Sequence, residues 1–154
     1  MGLIDQRLKE LGITLPPASP PIASYVNGVI ADGLLFVSGK GPLEADGRFQ
    51  TGKVGSAITT AVAYQHARLT GLHLIAAIRE QLGGDLDRVE RIVRVFGLVN
   101  AEPDFTEHAK VINGCSDLLV EVFGERGRHS RAAIGMGSLP LQTTVEIEAV
   151  VAVK

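Results

Sequence analysis

An α+β architecture, with helices packed on one face of a single sheet, is predicted by three features of this 154-residue chain. Residues 145–153 alternate strictly, with Val145, Ile147, Ala149, Val151 and Val153 sharing one face, which is the period of a half-buried strand. Two long stretches, 56–82 and 105–123, instead repeat apolar residues every three or four positions, as amphipathic helices do. Asp32-Gly33, set between two short apolar runs, is the turn chemistry of an antiparallel hairpin.

Met1 to Gly12 places Leu3, Ile4, Leu8 and Leu11 at helical spacing, with Gly12 as the stop. The prolines at 16, 17, 20 and 21 cannot continue a helix, so this segment is read as an extended arm. Tyr25 to Ile30 and Leu34 to Ser38 form the first hairpin. Ser56 is read as the N-cap of a helix reaching about Leu82, with Ile58, Val62, Leu69, Leu72 and Ala76 as its apolar face. Gly83-Gly84-Asp85 ends it. Val89 to Val99 is dense in β-branched residues and is read as a well-buried parallel strand. Phe105 to Phe123 carries Val111, Cys115, Leu118 and Val122 as a second core helix. Residues 130–153 then form a closing hairpin, giving the order α, β, β, α, β, α, β, β.

The whole is read as one domain, with residues 1–22 as helix and arm and 23–154 as the core. A hydrophobic content of 45% and a net charge of −2 exclude a disordered chain and offer no general attraction for nucleic acid. A single cysteine, Cys115, forms no internal disulfide, and no long apolar span suggests a membrane, so a cytoplasmic location is expected. The glycine-rich segment 39–55 fits neither phosphate-binding motif, because Gly39-Lys40-Gly41-Pro42 puts proline where the helix of such a motif would begin. His66, His73, His108 and His129 make no metal-ligand spacing. Cys115 falls on the apolar stripe of its helix, as a structural thiol does. No cofactor or metal is expected.

Chemistry concentrates near the C-terminus. Glu146 and Glu148 share the other face of the last strand, and Arg131 opens the run before it. Two acids on an otherwise apolar strand are accounted for by a wet face, by pairing with basic residues (Arg131–Glu146 among them), or by an anion pocket with a nearby carboxylate. The rest of that face, Val150 and Ala152, is apolar and would need cover, which a second copy of the chain would supply.

The run from Arg131 through Leu139-Pro140 to Glu146-Ile147-Glu148-Ala149 resembles the C-terminal signature of the RidA family, also called YjgF or L-PSP. Tyr25 before the first hairpin, Val37-Ser38-Gly39 with Pro42, and Val95-Phe96 leading to Asp104-Phe105 and Asn113 follow the same family's order, so that the resemblance spans residues 20 to 153. It implies a chorismate-mutase-like fold and a homotrimer with ligand clefts between neighbouring subunits. It further implies that Arg131 anchors the carboxylate of a reactive 2-imino or 2-enamino acid such as 2-aminoacrylate. A guanidinium suits that task, since its planar fork matches a carboxylate. Glu146 takes the place of the family's water-orienting glutamate, and the products would be a 2-oxo acid and ammonia. Tyr25, Gly39, Asn113 and Ala133 take substrate-binding places. Glu148 is read as structural.

The chain departs from the family around the arginine. His129 stands where a proline is frequent, and Ala132 and Ala133 stand where a serine or cysteine occurs, so only backbone contacts survive there. Arg131 and Glu146 are expected to face one cavity. Three function classes follow: an imine deaminase, a non-catalytic metabolite-binding protein using the same cleft, and a ribonuclease, the last disfavoured by the absence of tryptophan and of a basic, aromatic surface.

Overall fold

The structure, a computed structural model, describes residues 1–154. Helix α1 (Leu3–Glu10) buries Ile4 and Leu8 but leaves Leu3 72% exposed, so the apolar stripe is narrower than the sequence predicts. Its first amides, those of Leu3 and Ile4, donate to the Asp87 carboxylate at 2.7 and 2.9 Å. Gly12, at φ +67°, ends the helix in the left-handed region. The proline arm then runs irregularly along the middle helix, Leu15, Pro16 and Pro17 lining a cleft with Ala76 and Arg79.

Strands β1 (Gly28–Ala31) and β2 (Leu34–Lys40) pair antiparallel about Asp32 and Gly33, both at positive φ, as a two-residue hairpin of right-handed twist requires. Helix α2 spans Thr60–Gln81. Its N-cap is Thr59, whose hydroxyl accepts from the Val62 amide, and not Ser56, whose hydroxyl is instead given to Glu102. Its buried side chains also differ from the expected stripe: Ala63, Ala67, Leu74, Ile75 and Ile78 are buried while Val62 is exposed. The reason is that α2 is covered on two sides, by the sheet and by α3 (His108–Phe123), so a single-stripe pattern does not describe it.

Strand β3 (Val89–Asn100), β4 (Ser130–Met136) and β5 (Val145–Val153) complete one five-stranded sheet in the order β1-β2-β5-β3-β4. The expected closing hairpin does not form. Strand β3 lies between β4 and β5, parallel to the first and antiparallel to the second. A parallel β3–β4 pair needs a crossover, and α3 supplies it. Strand β3 is interior to the sheet but buried on its helix-facing side only, with Glu90, Arg91, Val93 and Arg94 exposed, and only one of its two pairings is parallel.

The helices α2 and α3 cover one face of the sheet, where Leu35, Val37, Val95, Val99, Ile147 and Val151 join one core. The other face is open. Phe36, Arg94, Phe96, Leu98, Val150 and Ile134 lie on it, with Phe36 48% and Ile134 42% exposed. No helix is long and apolar enough to cross a membrane.

Candidate functional site

Arg131 sits near the start of the edge strand β4, opposite Val95 of β3. Val95 is fully buried on the helix face, so the arginine leaves the sheet on that same side. Its Nη1 donates to Asn113 Oδ1 at 2.8 Å and to Ser116 Oγ at 3.1 Å, and Nη2 donates to the Ala109 carbonyl at 3.4 Å. Asn113 and Ser116 stand three apart on α3 and so share its face. Every partner is neutral, and no carboxylate pairs with the guanidinium. A cation held by neutral acceptors keeps its charge available to an anion. Ala133, opposite Gly97, follows on the same face of the strand and is partly exposed.

Glu146 leaves the sheet on the other side. It lies opposite Leu98, three residues along β3 from Val95 and on the open face. The expectation that Arg131 and Glu146 face one cavity within the chain is therefore wrong, and so is their pairing as an ion pair. The sequence pattern fixes parity within each strand but carries no information on the register between β4 and β5, which never touch.

Around Glu146 the chain assembles a second group. The β2–β5 pairing shifts register between Val37 and Lys40, which brings Gly39 against the glutamate: a methyl group on Gly39 would lie 3.2 Å from its carboxyl carbon. Burial raises the Glu146 pKa above the usual carboxylate value, and the like charge of Glu148 adds to the effect. Beside Glu146, but without it in the lining, Gly39 and Tyr25, the latter 44% exposed, line a cavity of about 240 Å³ with Lys40, Phe49 and His73. Lys40 is buried there, donating to Asn27 Oδ1, while Asn27 donates in turn to Glu80. Burial lowers the Lys40 pKa, and the nearby Glu80 charge opposes that. His73 Nε2 lies 2.8 Å from the Leu43 carbonyl oxygen, which can only accept, so its buried Nδ1 is the bare nitrogen.

The six expected site residues thus fall into two groups: Arg131, Asn113 and Ala133 on the helix side of the β4 edge, and Tyr25, Gly39 and Glu146 about the β2–β5 bulge. A separate cavity of about 610 Å³ among Lys53, Glu102, Phe105, His108 and Met136 lies at the far end of β4 and contains none of them.

Ser116 escaped the sequence reading, and His129 entered it only as a departure from the family with no side-chain role expected, which its ring contact with Ser116 corrects. Ser116 holds Arg131 from α3, and His129 Nε2 lies 2.8 Å from Ser116 Oγ. Both had a signal: Ser116 lies three residues from Asn113 on a helix, and His129 lies two before Arg131, just ahead of β4. Cys115, next along α3, is fully buried, and burial pushes its thiol up to about 12, against a smaller downward pull from Arg131. It is a structural thiol. No group of three His, Cys, Asp or Glu side chains gathers as a metal site would.

Comparison with known proteins adds the following. A family model described as "YjgF/chorismate_mutase-like, putative endoribonuclease" matches residues 5–151. Protein TCP17 of Trypanosoma cruzi is 41% identical over 97% of this chain and 94% of its own. Among solved structures, Atu1372 from Agrobacterium tumefaciens, described as of unknown function, superposes with a TM-score of 0.90 at 44% identity, over 98% of this chain and 92% of that one. A protein from Shewanella oneidensis described as a "putative endoribonuclease" gives 0.93 at 31% identity, over 99% and 100%.

Proposed function

Because the chain belongs to the YjgF/chorismate-mutase-like family, we propose that it hydrolyses short-lived 2-imino and 2-enamino acids to 2-oxo acids and ammonia, in a cleft built by two copies of the chain. The observation that carries this reading is the division of the site residues between two faces. One copy would present Arg131, with Asn113 and the Ala133 backbone, to the substrate carboxylate. Its neighbour would present Glu146, Gly39 and Tyr25. The open sheet face, with Phe36, Phe96, Leu98, Ile134 and Val150 left without cover in a single chain, supports association of copies, and a closed trimer is the assembly proposed.

In such a cleft the carboxylate is held by the fork of Arg131, and the imine carbon lies toward the neighbour. The Glu146 carboxylate accepts a proton from water as the oxygen bonds to that carbon. The C=N electron pair moves to nitrogen, which takes a proton from solvent; Glu146 then returns its proton to that amine, the hydroxyl proton leaves to solvent, and the C–N bond breaks to give ammonia and the 2-oxo acid. A base whose pKa is raised by burial takes the proton more readily than an ordinary carboxylate, and such assistance contributes about 10²–10⁴-fold.

The test is complementation. Wild-type protein is expected to accelerate ammonia release from 2-aminoacrylate, while Arg131→Ala and Glu146→Gln proteins are each inactive. Unfolded together and refolded as mixed assemblies, they are expected to regain activity, because roughly one quarter of the clefts in a random cyclic mixture pair an intact arginine with an intact glutamate. An active wild type with no recovery in the mixture would place the site within one chain. An inactive wild type would end the deaminase reading, and ligand binding without turnover, or RNA cleavage abolished by Arg131→Ala, would then name its successor.

A further inference from the structure

Beneath the guanidinium of Arg131 lies a chain of hydrogen bonds whose donors and acceptors can be assigned one by one. His129 Nδ1 is 2.6 Å from the Gly127 carbonyl oxygen. A carbonyl oxygen only accepts, so Nδ1 carries a proton. In the neutral ring Nε2 is then a bare lone pair, and at 2.8 Å it accepts the hydroxyl proton of Ser116. With that proton committed, the lone pairs of Ser116 Oγ are turned outward, and one of them receives Arg131 Nη1 at 3.1 Å. Asn113 Oδ1 takes the same nitrogen at 2.8 Å.

We propose that Ser116 and His129 are positioning residues for Arg131: the backbone of Gly127 sets the histidine tautomer, the histidine sets the serine rotor, and the serine oxygen sets the direction of the guanidinium. The inference rests on the reading of Arg131 as the carboxylate anchor. A long, unbranched side chain on an edge strand has many rotamers, and an anchor with no opposing carboxylate has nothing ionic to choose among them. Neutral acceptors in a fixed geometry choose one without neutralising the charge. A carboxylate at the position of Ser116 would orient the arginine as firmly but would occupy the charge that the substrate needs.

The histidine suits this role because burial lowers its pKa, opposed by the Gly127 carbonyl and reinforced by the Arg131 charge. The ring is thus kept in the neutral form that can accept from serine. Ser116 and His129 are each only partly buried, so small substitutions there leave the core in place.

Two measurements test this. Long-range ¹H–¹⁵N spectra of the wild type at pH 7.5 are expected to show His129 protonated on Nδ1 and bare on Nε2, and the Arg131 guanidinium resonances are expected to sharpen through faster rotation in Ser116→Ala. The opposite tautomer, or unchanged Arg131 lines in Ser116→Ala, would overturn the proposal whether or not the protein turns over any imine. In kinetics on 2-aminoacrylate, Ser116→Ala and His129→Ala are each expected to raise KM about tenfold with kcat within about twofold, the scale of one hydrogen bond to a charged group. The double variant is expected to raise KM no further, since both residues act through one chain of bonds. Multiplication of the two effects, or a fall in kcat at unchanged KM, would refute it. A wild type with no turnover would defeat the deaminase reading alone, and the spectra would still decide this one.

Discussion

Gly114 of α3 lies against the backbone carbonyl of Tyr64 in α2, so close that a methyl group added at Gly114 would stand inside the van der Waals envelope of that carbonyl oxygen and 3.0 Å from the Arg68 nitrogen. Backbone cannot rotate away as a side chain can. Gly114→Ala is therefore expected to force the two helices apart and to destabilise the fold by about 3 kcal/mol, at the upper end of overpacking costs. Gly71, where the nearest obstacle is the Leu118 Cδ2 at 2.9 Å, is expected to tolerate alanine better. Urea denaturation of the two variants side by side measures the contrast.

Glu146 sets stability against chemistry. Its folded-state pKa is raised by burial and by Glu148, so the folded protein favours the protonated form more than the unfolded chain does. That contribution is fully present below the unfolded value and is lost as pH rises through the raised folded one. At neutral pH Glu146→Gln is expected to unfold at a higher urea concentration than the wild type. The gap should close as pH falls toward the ordinary carboxylate value. In the same pH window wild-type deamination is expected to decline with acid, as the base becomes protonated.

The carboxylate of Asp87 accepts from the first two amides of α1 across 84 and 83 positions of sequence. Those bonds lower its pKa, the Ile4 amide contributing most. The clamp is thus complete above the ordinary carboxylate pKa and is lost as pH falls through the lowered one. Asp87→Ala is expected to cost about 1 kcal/mol, as loss of a helix cap does. Hydrogen exchange should locate that cost, with the Leu3 and Ile4 amides exchanging faster while those of β3 do not change.

Cys115, with its thiol pushed up to about 12 by complete burial, is expected to resist iodoacetamide at pH 8 in the native protein and to react in urea. Mass spectrometry of the two samples measures this. Labelling of the native thiol would mean that α3 opens readily from the sheet.

The eight elements and their order were legible because each has a period of its own: three or four residues for α3, two for β5, and Asp32-Gly33 for the first hairpin. What the pattern lacked was relation between elements. Adjacent strands in sequence suggested a β4–β5 hairpin, but β3, already buried on both edges, supplies a longer apolar partner to each. The α2 stripe was misjudged because the helix is buried on two sides, and its cap because the Ser56 hydroxyl is spent on Glu102. For the site, residue types singled out Arg131 and Glu146 as candidates and the family resemblance suggested their roles, yet only strand register determines that they leave opposite faces. His129 and Ser116 were legible as close sequence neighbours of Arg131 and Asn113, but not as a connected pair, since that needs the packing of α3 on β4.

Strand β5, last of the five in the chain, occupies the centre of the sheet, between β2 and β3. On a ribosome, the first two strands and the β3–α3–β4 unit emerge as two pieces, each with an unsatisfied edge, with α2 packed against both but no strand pairing between them until residues 145–153 have left the exit tunnel. The sheet therefore closes only after synthesis of its final strand, and until then both pieces display template edges to other nascent chains. A message truncated before this segment yields a sticky fragment, not a smaller version of the fold.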